Sequence, residues 1–403
     1  MRRSSPLGRF LIYLVLTVGA VVMAFPFYWM LATSLKSPQE AQQARPIWIP
    51  ERLKASNWRV AWSLGAEAGS SWWGGFGPQQ SVTLKLYAPP GPVPQVMVPS
   101  PPGAFSDPRS EQTRVQVSYQ GDHWAIRFTN PSSEHFRTLP AVILISKEYP
   151  SYTPELPPDA IRSSGDDWRL EYVNVAPGLL GYIFHNYLEA WYAAPFARYF
   201  FNSFFTAGLQ VLGGLFLAVL AAFALARIPF PGKSWVFGLI LATLMIPGEV
   251  LLIPNYVLLA RLEWIDTYYA LIVPWLASVF GIFLLRQFYL SLPQDLFDAA
   301  RIDGASYWTQ MFRIALPLSI PGLITYGIFT FLGAYNALLW PLIVTNSPEM
   351  RTVQLGLQVF IGEAGSDYGA LMAASTVSIL PIILGYFIAQ KQFIQGVARS
   401  GIK

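Results

Sequence analysis

Hydrophobic positions gather in six long runs: Phe10–Leu31, Tyr199–Ala226, Ser234–Ala260, Thr267–Leu290, Leu318–Val344 and Ala370–Ala389. A helix that crosses the hydrocarbon of a bilayer needs about 20 mostly apolar residues, and every run is long enough. Four runs carry no charge, the third contains Glu249, and the fourth contains Arg286 near one end. The pattern predicts an α-helical polytopic membrane protein with six transmembrane helices. Between the first and second runs the pattern changes to short alternations of period two at Ser81–Tyr87, Thr113–Tyr119, Trp124–Phe128, Ala141–Ser146 and Trp168–Val173. These read as strands, and the Pro- and Gly-rich stretches Trp72–Gln79 and Ala88–Pro102 read as loops or linkers. The expected division is a cytoplasmic N-terminus and first helix over 1–36, a β-rich insert resembling a β-sandwich over 37–197, and a helical core over 198–403.

Composition agrees with a membrane protein: 53% of the 403 residues are hydrophobic and 12% are charged, about half the charged fraction of a soluble domain. The net charge of +4 is spread without a basic run, which leaves nucleic-acid binding without support. No cysteine is present, which excludes disulfides, thiolate catalysis and cysteine-based metal sites, and all three histidines (His123, His135, His185) fall in the central polar region. The first run follows Arg2, Arg3 and Arg9. It is longer than a signal-peptide core and has no small-residue cleavage site, so it is expected to be an anchor. Lys and Arg of the short connections then orient the chain. With the N-terminus inside, Arg2, Arg3, Arg9, Arg227, Lys233, Arg286, Arg301, Arg313, Lys391, Arg399 and Lys403 fall on the cytoplasmic side, against Arg261, Arg351, Arg198 and Lys36 outside. Both termini are predicted to be cytoplasmic and the insert extracytoplasmic.

The connection between the fourth and fifth runs, 291–317, carries the most specific pattern. Ser291 with Gln294 has the spacing of a capping box, and Pro293 sits where a first helical turn tolerates it. The helix predicted there places Leu296, Ala299, Ala300 and Asp303 on one side, and Gly304 permits the positive φ of a sharp exit. Small alanines beside a glycine turn would let another protein's backbone approach closely.

These residues resemble the signature loop of the permeases of binding-protein-dependent ABC importers: an acidic residue and two alanines, a glycine after three more, then Leu-Pro. Here they are Asp298-Ala299-Ala300, Gly304 and Leu316-Pro317, with Asp in place of the family's Glu. The chain looks most similar to the smaller subunit of the maltose-type carbohydrate permeases. The matching segments are Pro26-Phe27 with Ser34-Leu35-Lys36, Asn186-Tyr187, Tyr199 to Ser203, Pro247-Gly248-Glu249, Leu371 to Ala374, and Gln390 to Phe393. The resemblance implies a type I importer permease that forms half of a pore for a small solute, a sugar or oligosaccharide. It also implies a second permease subunit, a dimer of ATP-binding subunits gripping Asp298, Ala299, Ala300, Asp303 and Gly304, and an extracytoplasmic solute-binding protein. No cofactor is implied, and membrane lipid is the surrounding solvent. The chain departs from the family at Tyr335-Asn336-Ala337, where Trp-Asn-acid is usual, and in the length of its insert.

Three residues are candidates for the translocation pathway. Glu249 follows Pro247-Gly248 at mid-span, where a carboxylate costs about 3 kcal/mol to insert and therefore faces a cavity, a partner or freed backbone amides. Tyr335 and Asn336 could hydrogen-bond solute hydroxyls or hold neighbouring helices together. Gly208, Gly213 and Gly214 suit close helix packing. Trp72, Trp73, Trp124 and Trp168 could stack on sugar rings or fill the core of the insert. Pro231-Gly232-Lys233-Ser234 looks like the end of a phosphate loop, but Arg227 stands where that motif needs its first glycine, so ATP hydrolysis would belong to another subunit. The competing reading is a membrane-anchored carbohydrate-binding or scaffold protein, which a single anchor helix would serve.

Overall fold

The computed structural model describes residues 6–36, 38–41, 43, 45–50, 53, 77–86, 93, 95–97, 113–121, 124–133, 140–146, 161–164, 168–174, 179–362 and 365–400. It has two compact units: Met1–Ala194 with Val359–Val377, and Pro195–Gln358 with Ser378–Lys403.

The first unit opens with α1 (Pro6–Ser34), whose apolar side chains from Phe10 to Phe27 point outward. Its last carbonyls would be orphans, but Asn186 on α4 (His185–Ala193) donates its side-chain amide to Ser34 O at 2.9 Å and Lys36 O at 2.7 Å. The Lys36 ammonium, almost wholly buried, lies 3.8 Å over the Trp29 ring. Burial lowers its pKa, and the charge of Glu40 on α2 (Pro38–Ala41) partly opposes that. A short helix α3 (Leu179–Ile183) precedes α4.

Among the described residues, seven strands before α3 form two antiparallel sheets in this unit, and Ile361–Gly362 pairs with Gly365–Ser366 in a separate two-stranded ladder. In one, β4 (Trp124–Thr129) lies between β1 (Ser81–Leu86) and β3 (Arg114–Tyr119). In the other, the order is β2 (Gln95–Met97), β5 (Pro140–Ser146), β7 (Trp168–Asn174) and β6 (Ile161–Ser164). Residues 95–97 were expected to be a loop. They form a strand because they pair with Val142, Ile143 and Leu144, a contact with no local signature. Trp124 is buried beside Tyr119, with ring centroids 5.1 Å apart, so its faces are not open to a sugar. Trp72, Trp73, His123 and His135 lie outside the described residues.

The second unit is built on α5 (Phe196–Arg227), followed by α6 (Lys233–Ala242), α7 (Leu252–Arg261), α8 (Tyr268–Ile272) and α9 (Val279–Ser291). Then come α10 (Gln294–Ile302), α11 (Tyr307–Gln310), α12 (Ile320–Tyr335), α13 (Leu339–Val344) and α14 (Val353–Gly356). The last helix, α15 (Tyr368–Ser400), contributes to both units. Among the described residues, three helices are long and apolar enough to cross a membrane by themselves, and three bent pairs each pass as one span, which gives up to six. The pairs are Lys233–Met245 with Gly248–Arg261, bent by 92°, Tyr268–Trp275 with Val279–Ser291, bent by 40°, and Tyr307–Leu318 with Ile320–Tyr335, bent by 76°. The three middle runs therefore do not form continuous helices. Pro247, Pro274 and Pro321 each fall at or beside a break, where a missing N–H and a fixed φ favour restarting the helix. The fifth run is also cut at Asn336, which caps α12, before Pro341 enters the first turn of α13.

Packing in this unit turns on glycine. Tyr326 of α12 is fully buried, and a Cβ at Gly214 of α5 or Gly281 of α9 would collide with it. Gly213 is pressed against Leu276, whereas Gly208 has open space, so close packing is its neighbours' work. Asn202 donates to Glu349 O at 2.7 Å and Arg351 O at 2.9 Å, and accepts from the Tyr268 hydroxyl at 2.7 Å. Asp266, at φ 61°, accepts from the backbone N–H of Asn346 at 2.9 Å and of Ser347 at 3.1 Å. Burial raises its pKa, but these hydrogen bonds outweigh that and hold it below 3.8.

Replacing Gly281 with Ala is expected to destabilise the protein by about 1–3 kcal/mol through overpacking against Tyr326. Gly238→Ala on α6, with nothing in the way, is expected to be neutral or mildly stabilising; thermal unfolding in detergent compares them. Because the Asp266 pKa is depressed on folding, its contribution is present above the unfolded value of 3.8 and fades as pH falls through the native one. The stability advantage of the wild type over Asp266→Asn should therefore be full at neutral pH and vanish in acid.

Candidate functional site: an exposed helical loop and a cavity at the helix breaks

The exposed loop begins where α9 ends. Ser291 closes α9 by donating its hydroxyl to Phe288 O at 2.8 Å, so the expected capping box does not form, and Pro293 takes the N-cap position of α10. One face of α10 is anchored: Phe297 and Ala300 are buried, and Phe297 joins a core of Phe223, Leu285, Tyr289 and Met311. Ala300 therefore packs against its own protein, and only Ala299 of the pair points outward. Leu296, Asp298, Ile302 and Asp303 are also exposed. Asp298 is held within the helix, with one carboxylate oxygen 3.0 Å from the Gln294 amide and 3.1 Å from the Arg301 guanidinium. Gly304 then adopts φ +76°, and its neighbour Ala305 returns an N–H to Ala300 O at 2.8 Å. This is the close of a helix through a left-handed residue. Ser306 caps the next helix by accepting from Thr309 N. The result is a short, polar-faced helix, fixed on one side and free on the other.

The cavity lies deeper in the second unit and has a volume of about 460 Å³. Its walls include Gln210, Glu249, Trp275, Ser278, Tyr326 and Trp340. Glu249 sits in the single turn Gly248–Leu251 between the halves of the sharpest bend, exposed, and its carboxylate accepts no hydrogen bond among the described residues. It thus does not serve the freed amides of the break. Trp275 and Trp340 meet edge to face at 5.8 Å, and Trp340 is fixed by donating to Ala270 O at 2.9 Å. Gln210 donates to Leu271 O at 2.9 Å. The buried hydroxyl of Thr352, also in the wall, has no hydrogen-bond partner among the described residues.

The structure separates the three pathway candidates. Glu249 lines the cavity. Tyr335 does not: it is fully buried, its hydroxyl donates to Ser378 O at 2.9 Å, and its ring packs on Phe204 and Phe331. Its role is to hold α12 to α15. Asn336 is exposed and accepts from the Gln354 amide at 3.3 Å, outside the cavity wall. Sequence reasoning passed over Trp275, Tyr326 and Trp340, since a Trp or Tyr in an apolar run looks the same in a core as in a cavity. Gln210, a lone amide in an uncharged span, was the available signal.

Known proteins match this chain along its helical part. Residues 210–399 fit the family described as binding-protein-dependent transport system inner membrane component. The arabinooligosaccharides transport system permease protein AraQ of Halalkalibacterium halodurans is 37% identical over 211 residues, 52% of this chain and 76% of that protein. The sn-glycerol-3-phosphate transport system permease protein UgpE of Yersinia enterocolitica is 34% identical over 227 residues, 54% of this chain and 81% of that protein. Among solved structures, a bacterial ABC transporter involved in the import of the acidic polysaccharide alginate aligns at 22% identity and TM-score 0.48, covering 52% of this chain and 79% of that one.

Tyr335→Phe is expected to lower stability by about 1 kcal/mol, since it removes the buried hydrogen bond from the Tyr335 hydroxyl to Ser378 O. The change should appear as a lower unfolding midpoint in detergent.

Proposed function

The chain belongs to the inner-membrane component family of binding-protein-dependent transport systems, and from that membership we propose that it carries a sugar or related polyhydroxylated solute through an ABC importer. The named relatives serve arabinooligosaccharides and glycerol 3-phosphate, solutes that share several hydroxyl groups. An exposed carboxylate and two tryptophans around one cavity suit hydroxyl hydrogen bonding and ring stacking. In this reading the six spans, each bent pair counted as one, form half of a pore. A second permease forms the other half, both termini are cytoplasmic, and the residues between α1 and α5 lie outside the cell.

The observation that carries the reading is the left-handed turn at Gly304, which ends an amphipathic helix whose free face is Asp298, Ala299, Ile302 and Asp303. A separate ATP-binding subunit grips that face, and an external solute-binding protein delivers the solute. Transport needs no chemistry from this chain: ATP binding closes the ATPases, the gripped helices move, and the cavity changes the side to which it opens.

Purification in mild detergent is expected to bring down an ATPase and a second permease; isolation of the chain alone would contradict the proposal. A Cβ at Gly304 meets no neighbouring atom, so Gly304→Val strains only the backbone, by about 1–2 kcal/mol. That variant should insert normally yet lose uptake and solute-stimulated ATP hydrolysis; unchanged uptake would remove the helix from the coupling role.

A further inference from the structure

Arg227 is the last residue of α5 and is buried, without a carboxylate partner among the described residues. A buried cation is costly unless its donors are satisfied. Here the two terminal nitrogens donate to the negative end of one neighbouring helix and to the start of the next, while Nε has no hydrogen-bond partner among the described residues. One guanidinium nitrogen donates to Tyr289 O and, at 2.7 Å, to Leu292 O, both at the C-terminus of α9, and the other donates to the side-chain oxygen of Gln294, the first residue of α10. The guanidinium carbon lies 4.0 Å over the ring of Phe297, the buried anchor of α10. One side chain thus joins the end of α5, the end of α9 and the start of the exposed helix.

The other ends of these connections reach the cavity. Gln210 on α5 and Ser278 at the N-cap of α9 both belong to its wall. Gln210 stands roughly 25 Å from Arg227 along the helix at 1.5 Å per residue. Helices are stiff, so a displacement of α10 that is locked to both C-termini moves both walls. Without the lock, α10 stays joined to α9 and α5 only by the chain turn at Leu292-Pro293 and by the non-directional apolar packing of Phe297, with no direct polar link to α5 among the described residues.

We propose that Arg227 is the positioning residue that makes α10 a rigid extension of α5 and α9, so that movement of the exposed helix reaches the cavity. Lysine could not replace it, because an ammonium cannot present the planar fork that meets two carbonyls and an amide while stacking on a ring. The inference rests on the reading of the chain as an importer permease.

The test uses the complete importer in liposomes, with Ala337→Cys, a cavity-wall position, as the reporter in a chain that has no other cysteine. The readout is the change in labelling rate by a charged thiol reagent when magnesium ATP and vanadate trap the ATPases. With Arg227 present, trapping is expected to change the rate. In Arg227→Met the change should shrink roughly tenfold, and in Arg227→Lys roughly threefold, as expected for a residue that carries coupling between sites. Gln294→Met removes the bond to Arg227, together with the surface contact to Asp298, at an exposed position where folding is not at stake, and should also shrink the change roughly threefold. A full response in Arg227→Met, or in both milder variants should Arg227→Met fail to assemble, would overturn the linkage. No response to trapping with Arg227 intact would instead overturn the importer reading beneath it.

Discussion

The second unit is governed by the requirement that backbone polar groups inside a bilayer find partners within the protein. A continuous helix meets it automatically, and a broken one does not. This unit is broken at Ile246-Pro247, between Trp275 and Ser278, at Ser319 and at Asn336–Leu338. At Ser319 the break heals itself, because the serine hydroxyl bonds Ala315 O and Leu316 O one turn back. The other three breaks supply residues to the same cavity: Gly248 and Glu249, Trp275 and Ser278, Ala337 and Leu338. Irregular backbone at membrane depth is tolerated where it lines a wet space, and here that space is shared.

Helix ends pose the same problem at the edges of the unit. Orphan carbonyls at the end of α5 receive Lys233, which reaches Ala226 O at 3.0 Å and Ile228 O at 3.2 Å, and Arg286, which reaches Leu225 O at 3.2 Å. Those at the end of α9 receive Arg227. These three cations thus complement helix dipoles. At the opposite ends of the spans, Asn202 and Asp266 tie loop backbone to the helices. Rigid ends around a broken middle suit a body that moves its walls without unfolding.

Much of this was legible in the sequence. The first, second and last apolar runs fall on the three long helices and the third and fourth on bent pairs, because length and hydropathy are local properties. The fifth run covers Ile320–Tyr335 and α13 and leaves out all but the last residue of Tyr307–Leu318, so the number of spans is three and up to six. The turn at Gly304 was equally local, since only glycine takes φ +76° without strain. What failed depended on neighbours distant in the chain. Ala300 reads like Ala299 until Phe297 and the core beneath it fix which side is buried. Tyr335 reads as a polar group in a pathway until Ser378 claims its hydroxyl. The strand at Gln95–Met97 exists only through pairing with β5. Ser291 had the capping spacing, but it already belonged to the preceding helix, whose last turn took its hydroxyl.

Three helix breaks that line one cavity are expected to open onto water within this subunit. The absence of native cysteine makes this directly measurable by thiol labelling of single-cysteine variants in intact membranes. Cysteine at Glu249 or Leu338 should react with a charged, membrane-impermeant reagent, and more slowly while solute is being transported. Cysteine at Leu239, also exposed on the protein surface but on the unbroken part of α6, should not react, because lipid covers it. Equal reactivity at Leu239 and Glu249, or none at any break, would contradict the account.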